Sequence, residues 1–97
     1  MKLYRYTTKG EGTWSAGKRL LPEHLIDEVN EARKWLKKPD LPEGHYVFYL
    51  TEAGKSKYEE TLFHLHKQYL EDIEIEESEL SPKSHIVYKD KYQVVTK

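Results

Sequence analysis

The chain has no cysteine, which removes disulfides and thiolate zinc sites from consideration. It also lacks any apolar run of membrane-spanning length, and its first ten residues, MKLYRYTTKG, hold no segment suited to a signal peptide. The expected compartment is therefore the cytosol, with no membrane partner. There is no excess of positive charge: 16 basic and 17 acidic residues leave a net charge of −1, which argues against nucleic acid as the partner. Glycine (five) and proline (four) are too few for a low-complexity or linker-rich chain.

What is present is a short, polar, aromatic chain. Ninety-seven residues make one domain, which buries roughly 60–65% of the surface its unfolded form exposes. Only 37% of residues are hydrophobic, against 34% charged, and mean hydropathy is −0.88. Eight Tyr, two Trp and two Phe supply the missing apolar area and argue against intrinsic disorder. Charge is segregated along the sequence. Residues 1–38 hold nine Lys/Arg against five Asp/Glu, whereas residues 71–79 (EDIEIEESE) hold six acids and no base. Such asymmetry allows a basic face and an acidic face on one body.

The dense aromatic and β-branched run Leu3–Thr8 predicts a strand. Residues 9–19 hold three of the five glycines and predict a loop, with room for a short strand at Thr13–Ala16. Pro22–Lys38 predicts a helix: proline suits its first turn, Leu25, Val29, Ala32 and Leu36 recur at helical spacing, and Pro39 stops it. Residues 39–44 (PDLPEG) read as a rigid connector. His45–Leu50 (HYVFYL) predicts a central strand covered on both faces. Thr51 is placed to cap a helix over Glu52–Leu70, whose stripe is Tyr58, Leu62, Leu65 and Tyr69. Ile73 and Ile75 alternate with acids, as in a half-exposed strand, and Ser81-Pro82 breaks it. His85–Tyr88 and Tyr92–Thr96 flank Lys-Asp-Lys as a hairpin. The expected fold class is α+β, with two amphipathic helices packed on one face of a small, mostly antiparallel sheet.

Several segments invite a functional reading. Gly12-Thr-Trp-Ser-Ala-Gly17-Lys18-Arg19 matches most of the phosphate-binding loop G-x-x-x-x-G-K-[ST], but Arg19 replaces the magnesium-binding hydroxyl. A looser version keeps the charge: Arg5, Lys18 and Arg19, beside Trp14, form a candidate anion or ligand site. The acidic run 71–79 suits docking to a basic partner, or an edge strand guarded by charge. The five histidines lack metal-ligand spacing. His64 and His66 are two apart, which on a helix turns them about 200° from each other, so no metal is expected. No catalytic set can be singled out and no cofactor is implied.

Three resemblances to known families or protein groups, and one feature of composition, accompany these readings. Arg5 on a first strand, followed by Ser15 after Trp14, resembles the Arg…Ser pattern of the ADP-ribosyltransferase family. That resemblance implies a catalytic glutamate on a later strand, for which Glu74, Glu76, Glu77 and Glu79 are candidates. The stretch Leu50-Thr-Glu-Ala-Gly54 resembles the strand-to-helix junction of winged-helix regulators and implies DNA binding. The segments LYRYTTKGEGTWSAGKRLLP and LPEGHYVFYLTEAGKSKYE resemble small proteins of phages and prophages of Gram-positive bacteria, which implies an accessory protein acting on a host factor. Finally, the surplus of aromatic residues resembles that of partner-gripping surfaces, where Tyr and Trp are enriched. The leading expectation is thus a non-enzymatic protein-interaction module whose patch includes Tyr4, Tyr6, Trp35, Tyr88 and Tyr92. A small-ligand or nucleotide-binding domain built on the basic glycine-rich loop is the alternative, and a winged-helix-like DNA-binding protein the third.

Overall fold

The computed structural model describes residues 2–81 and 85–97. It is an α+β fold with a six-stranded antiparallel sheet and four helices. In chain order the elements are β1 (Lys2–Thr8), β2 (Glu11–Gly12), α1 (Thr13–Leu20), α2 (Glu23–Ala32), β3 (Val47–Leu50), α3 (Glu52–Thr61), α4 (Phe63–Lys67), β4 (Ile73–Glu79), β5 (Ile86–Lys89) and β6 (Gln93–Thr96). Pro82, expected to break the strand before it, lies outside the described residues.

β1 forms as expected and turns at once into β2. Thr8 pairs with Glu11, so only Lys9 and Gly10 make the turn, and both have positive φ (51° and 83°). Two left-handed residues are what a tight hairpin twist requires, and glycine at the second position adopts that conformation without steric cost.

The predicted loop over residues 9–19 is a correction. After β2 the chain enters α1, and Thr13, Ala16 and Gly17 turn into the protein. Gly17 lowers intrinsic helix propensity by about 1 kcal/mol, which hides the helix from a sequence reading. Packing explains the glycine. A methyl group at Gly17 would stand 3.0 Å from Leu21 Cδ1 and 3.2 Å from His66 Nε2, so its absence lets the histidine ring reach the helix backbone.

The helix expected over Pro22–Lys38 ends at Ala32. Leu25 and Val29 are buried as the stripe requires, with Ile26, Ala32 and Leu36 packed against the core. Beyond Ala32 the chain turns so that Trp35 can reach other elements: its Nε1 donates to Thr61 Oγ1 (3.0 Å) and its ring meets Tyr92 edge-on at 5.2 Å.

Thr51 caps α3 by accepting from the Gly54 N–H (3.1 Å). The single helix expected over Glu52–Leu70 is broken at Leu62 (φ −123°, ψ −29°). Thr61 Oγ1 donates to the Lys57 carbonyl four residues back (2.7 Å), a bond that bends helices. Tyr58, Leu62 and Leu65 are buried, whereas Tyr69 is exposed. No helix among the described residues is long and apolar enough to cross a membrane.

In the sheet, β3 lies between β1 and β6, as a central strand should, but Val47 and Phe48 are exposed, so it is not covered on both faces. β5 and β6 form the expected hairpin. Burial pushes the Asp90 carboxyl up, but hydrogen bonds from the Tyr88 hydroxyl and the Tyr92 and Gln93 N–H groups outweigh it and hold the carboxyl below its usual range.

β4 pairs with β1 along its whole length, Lys2↔Glu79 to Thr8↔Ile73. This register joins the two charged ends of the sequence. Lys2 meets Glu77 (3.0 Å), Arg5 meets Glu76 (3.6 Å), and Lys9 meets Glu71 (3.4 Å). The basic and acidic faces inferred from charge segregation are therefore largely matched across neighbouring strands.

Beneath the sheet, Tyr6 stacks on Tyr58 (4.5 Å) and donates to Glu59 (2.7 Å). The hydrogen bonds from Lys55 and then Tyr6 hold the Glu59 carboxyl below its ordinary range.

Candidate functional site

The site begins with a gap in the sheet. On one edge of β1, β4 pairs every residue from Lys2 to Thr8. On the other edge, β3 pairs only Tyr4, and β2 pairs only Thr7 and Thr8. Between them Arg5 and Tyr6 have no strand partner on that edge among the described residues. The gap runs from Tyr4 to Thr7, about 10 Å at strand rise. A cleft of about 420 Å³ opens there, bounded by β1, α1, the segment after α2, and β3.

Five cations line this cleft: Arg5, Lys18, Arg33, Lys37 and Lys38. None of its lining residues is acidic. Arg5 is held by Glu76. Among the described residues Lys18, Arg33, Lys37 and Lys38 have no carboxylate partner, whereas Lys2, Lys9, Arg19, Lys34 and Lys55 each have one. Four unmatched cations thus share one concavity, whereas the other unmatched lysines of the described residues, Lys57, Lys67, Lys89, Lys91 and Lys97, lie outside it. Trp14, Tyr46, Phe48 and Tyr49 supply its aromatic surface.

Arg33 is the most constrained of the four. Its guanidinium lies over the Trp14 ring, 4.8 Å from the centroid. Half-buried there, it has its pKa pushed down by loss of solvent. Trp14 in turn meets His66 edge-on at 5.3 Å. His66 is 1% exposed, and its Nδ1 lies 2.7 Å from the Tyr58 hydroxyl, which also contacts Thr13 Oγ1 at 3.2 Å. The phenol carries one proton, so it donates to one of these partners and accepts from the other. Burial first, and the Arg33 charge second, lower the His66 pKa to about 4; burial pushes the Tyr58 hydroxyl up to about 12. His66 is thus a neutral core residue supporting the floor of the cleft. No group of three or more metal-ligating side chains occurs among the described residues.

Of the four side chains expected to form an anion site, Arg5, Lys18 and Trp14 converge on the cleft. Arg19 does not: next to Lys18 on α1, it is turned about 100° round the helix and pairs with Glu11. The phosphate-loop reading of residues 12–19 is corrected as well. Gly17 and Lys18 lie inside α1, where the Gly17 N–H serves the helix and cannot face a phosphate. Ser15 lines the cleft beside Arg5, and Glu76 is the member of the acidic run that contacts Arg5.

The expected aromatic patch does not assemble. Tyr4 and Tyr6 are each only 9% exposed and belong to the core. Trp35 and Tyr92 are half-buried against each other, and Tyr88 is half-buried with its hydroxyl on Asp90. Before α2, where a winged-helix scaffold has a further helix in place of a strand, the structure has β1, paired on both edges.

Sequence reasoning missed Arg33, Lys37, Lys38 and Phe48. The signal was present as Arg33-Lys-Trp-Leu-Lys-Lys38, four cations in six residues, but a continuous helix would have scattered them over its surface. No protein-family model, curated protein or solved structure matches the chain.

Proposed function

We propose that this domain binds a small anionic ligand in the cleft at the gap beside β1. The observation that carries the proposal is the cleft's charge: among the described residues five cations and no carboxylate line it, and four of those cations have no acidic partner. In a chain of net charge −1, with Lys2 at the start of β1 and Lys9 just after it both matched to acids, four unmatched cations around one concavity support an anionic ligand there. The volume lies within the range of small-molecule sites, roughly 300–1,000 Å³.

A protein-interaction module, the leading expectation from composition, needs a contiguous exposed patch of rings. The burial of Tyr4 and Tyr6 takes away two of its five members, so the cleft is preferred. The ligand reading is tested by thermal denaturation at low salt against a panel of phosphorylated and carboxylated metabolites. A ligand at ten times its Kd stabilises by about 1.4 kcal/mol. Lys18→Glu combined with Lys37→Glu, both at exposed positions, is expected to abolish the shift. No stabilisation by any anion at millimolar concentration would overturn the proposal.

A further inference from the structure

Resting on that reading, we infer that the ligand joins a planar ring to a phosphate, as a nucleoside 5′-diphosphate does, and that Arg33 reads the phosphate. Three features of the cleft select this class over a simple anion.

The first is size. A phosphate ion has five heavy atoms and would fill a minor part of 420 Å³. The second is the wall opposite in character to the cations. Besides Trp14, which Arg33 covers, Tyr46, Phe48 and Tyr49 line it with ring surface, and Phe48 is 48% exposed, the most exposed ring at the cleft. Base–aromatic stacking is tolerant of base identity and contributes about tenfold in affinity per ring or more. The third is Arg33 itself. Its guanidinium sits over Trp14 and has no carboxylate partner among the described residues, which keeps its N–H groups for a phosphate that can accept two parallel hydrogen bonds. Lys18, Lys37 and Lys38 add charge without direction, as suits a second phosphate.

The same structure favours a mononucleotide over a nucleic-acid strand. A strand-binding groove tracks the backbone with continuous positive charge. Here Lys2, Lys9 and Arg19 are each matched by a glutamate, so among the described residues the unmatched positive charge does not continue from the cleft along β1 or α1.

Isothermal titration calorimetry at low salt tests the inference, with ADP, GDP, CDP and UDP set against inorganic pyrophosphate and the four free nucleosides. At least one diphosphate is expected to bind tenfold or more tightly than both pyrophosphate and its own nucleoside. Phe48→Ser is expected to weaken that diphosphate about tenfold and leave pyrophosphate unchanged. Arg33→Lys, which keeps the charge and removes the fork, is expected to weaken both, and Arg33→Gln more so. Should Arg33→Gln fail to fold, Arg33→Lys and Phe48→Ser still decide the matter. Pyrophosphate equal to every diphosphate would overturn the inference and leave the anion cleft standing. Nucleosides equal to the diphosphates would overturn the role of Arg33 and the anion reading together. Binding of none of the probes would overturn the inference, and the anion reading is then decided by the thermal panel, which also holds carboxylates. A 5′-phosphorylated oligonucleotide binding tenfold more tightly than any mononucleotide would overturn the choice of ligand class.

Discussion

Lowering the pH from 7 to 5 protonates His66 in the unfolded chain and leaves it neutral in the folded one. In the folded protein the ring is enclosed by Tyr58 and Thr13, the edge of Trp14, and the Arg33 charge, and its pKa is about 4 against an ordinary 6.5. Because the folded value is depressed, the unfolded state binds the extra proton. Stability is therefore full above pH 6.5, falls as the pH drops, and stops falling on this account below about pH 4. For one group with these two values, the loss between pH 7 and 5 is about 2 kcal/mol. That is a large share of the roughly 5–15 kcal/mol typical of a domain, and corresponds to a fall in Tm of about 8–16 °C. The other four histidines are exposed, and the carboxylates held low, Glu59 and Asp90, lose their contribution only at lower pH. Urea denaturation of the wild type and of His66→Gln at pH 7 and 5 isolates the effect. The wild type is expected to lose about 2 kcal/mol, and the variant to start less stable and lose little more. An equal loss in both proteins would refute the assignment of the pH dependence to His66.

Two further substitutions test the packing. Gly54→Ala is expected to be the most disruptive single change in α3, since the added methyl would overlap the Tyr92 carbonyl oxygen, which is backbone and cannot swing aside. Overpacking of this kind costs about 1–3 kcal/mol or more, read as a lowered urea midpoint. Tyr58→Phe keeps the buried ring and removes the hydroxyl shared by His66 and Thr13, at a cost of about 1–3 kcal/mol by thermal denaturation. It is also expected to raise the folded-state pKa of His66 little, because burial is the first cause of its depression.

The fold class and most element types were legible because they rest on local signals. The dense strand at 3–8, the stripe through Leu25 and Val29, the Thr51 cap and the hairpin at 86–96 each follow from spacing or side-chain chemistry within a few residues. Failures came where a distant partner decided the outcome. α1 was hidden by Gly17, whose role is set by His66, forty-nine residues away in sequence. α2 ended early because Trp35 reaches Thr61 and Tyr92. The cleft was half legible. Arg5, Trp14 and Lys18 were singled out by charge and ring type, whereas Arg33, Lys37, Lys38 and Phe48 depend on where the chain leaves the helix and where the sheet parts.

The pairing of β1 with β4 has a further consequence for how the molecule is made. It joins positions 65 to 77 residues apart, from Thr8↔Ile73 to Lys2↔Glu79. During synthesis β1 leaves the ribosome well before its partner. Loop-closure entropy must be spent before this pair rewards it, which slows folding relative to a helical domain of the same length. Until β4 arrives, the strand Leu3–Thr8 presents its rings and an open edge to other chains. Lys2 and Arg5 on β1, before they meet their glutamates, then act as the charges that keep nascent copies apart.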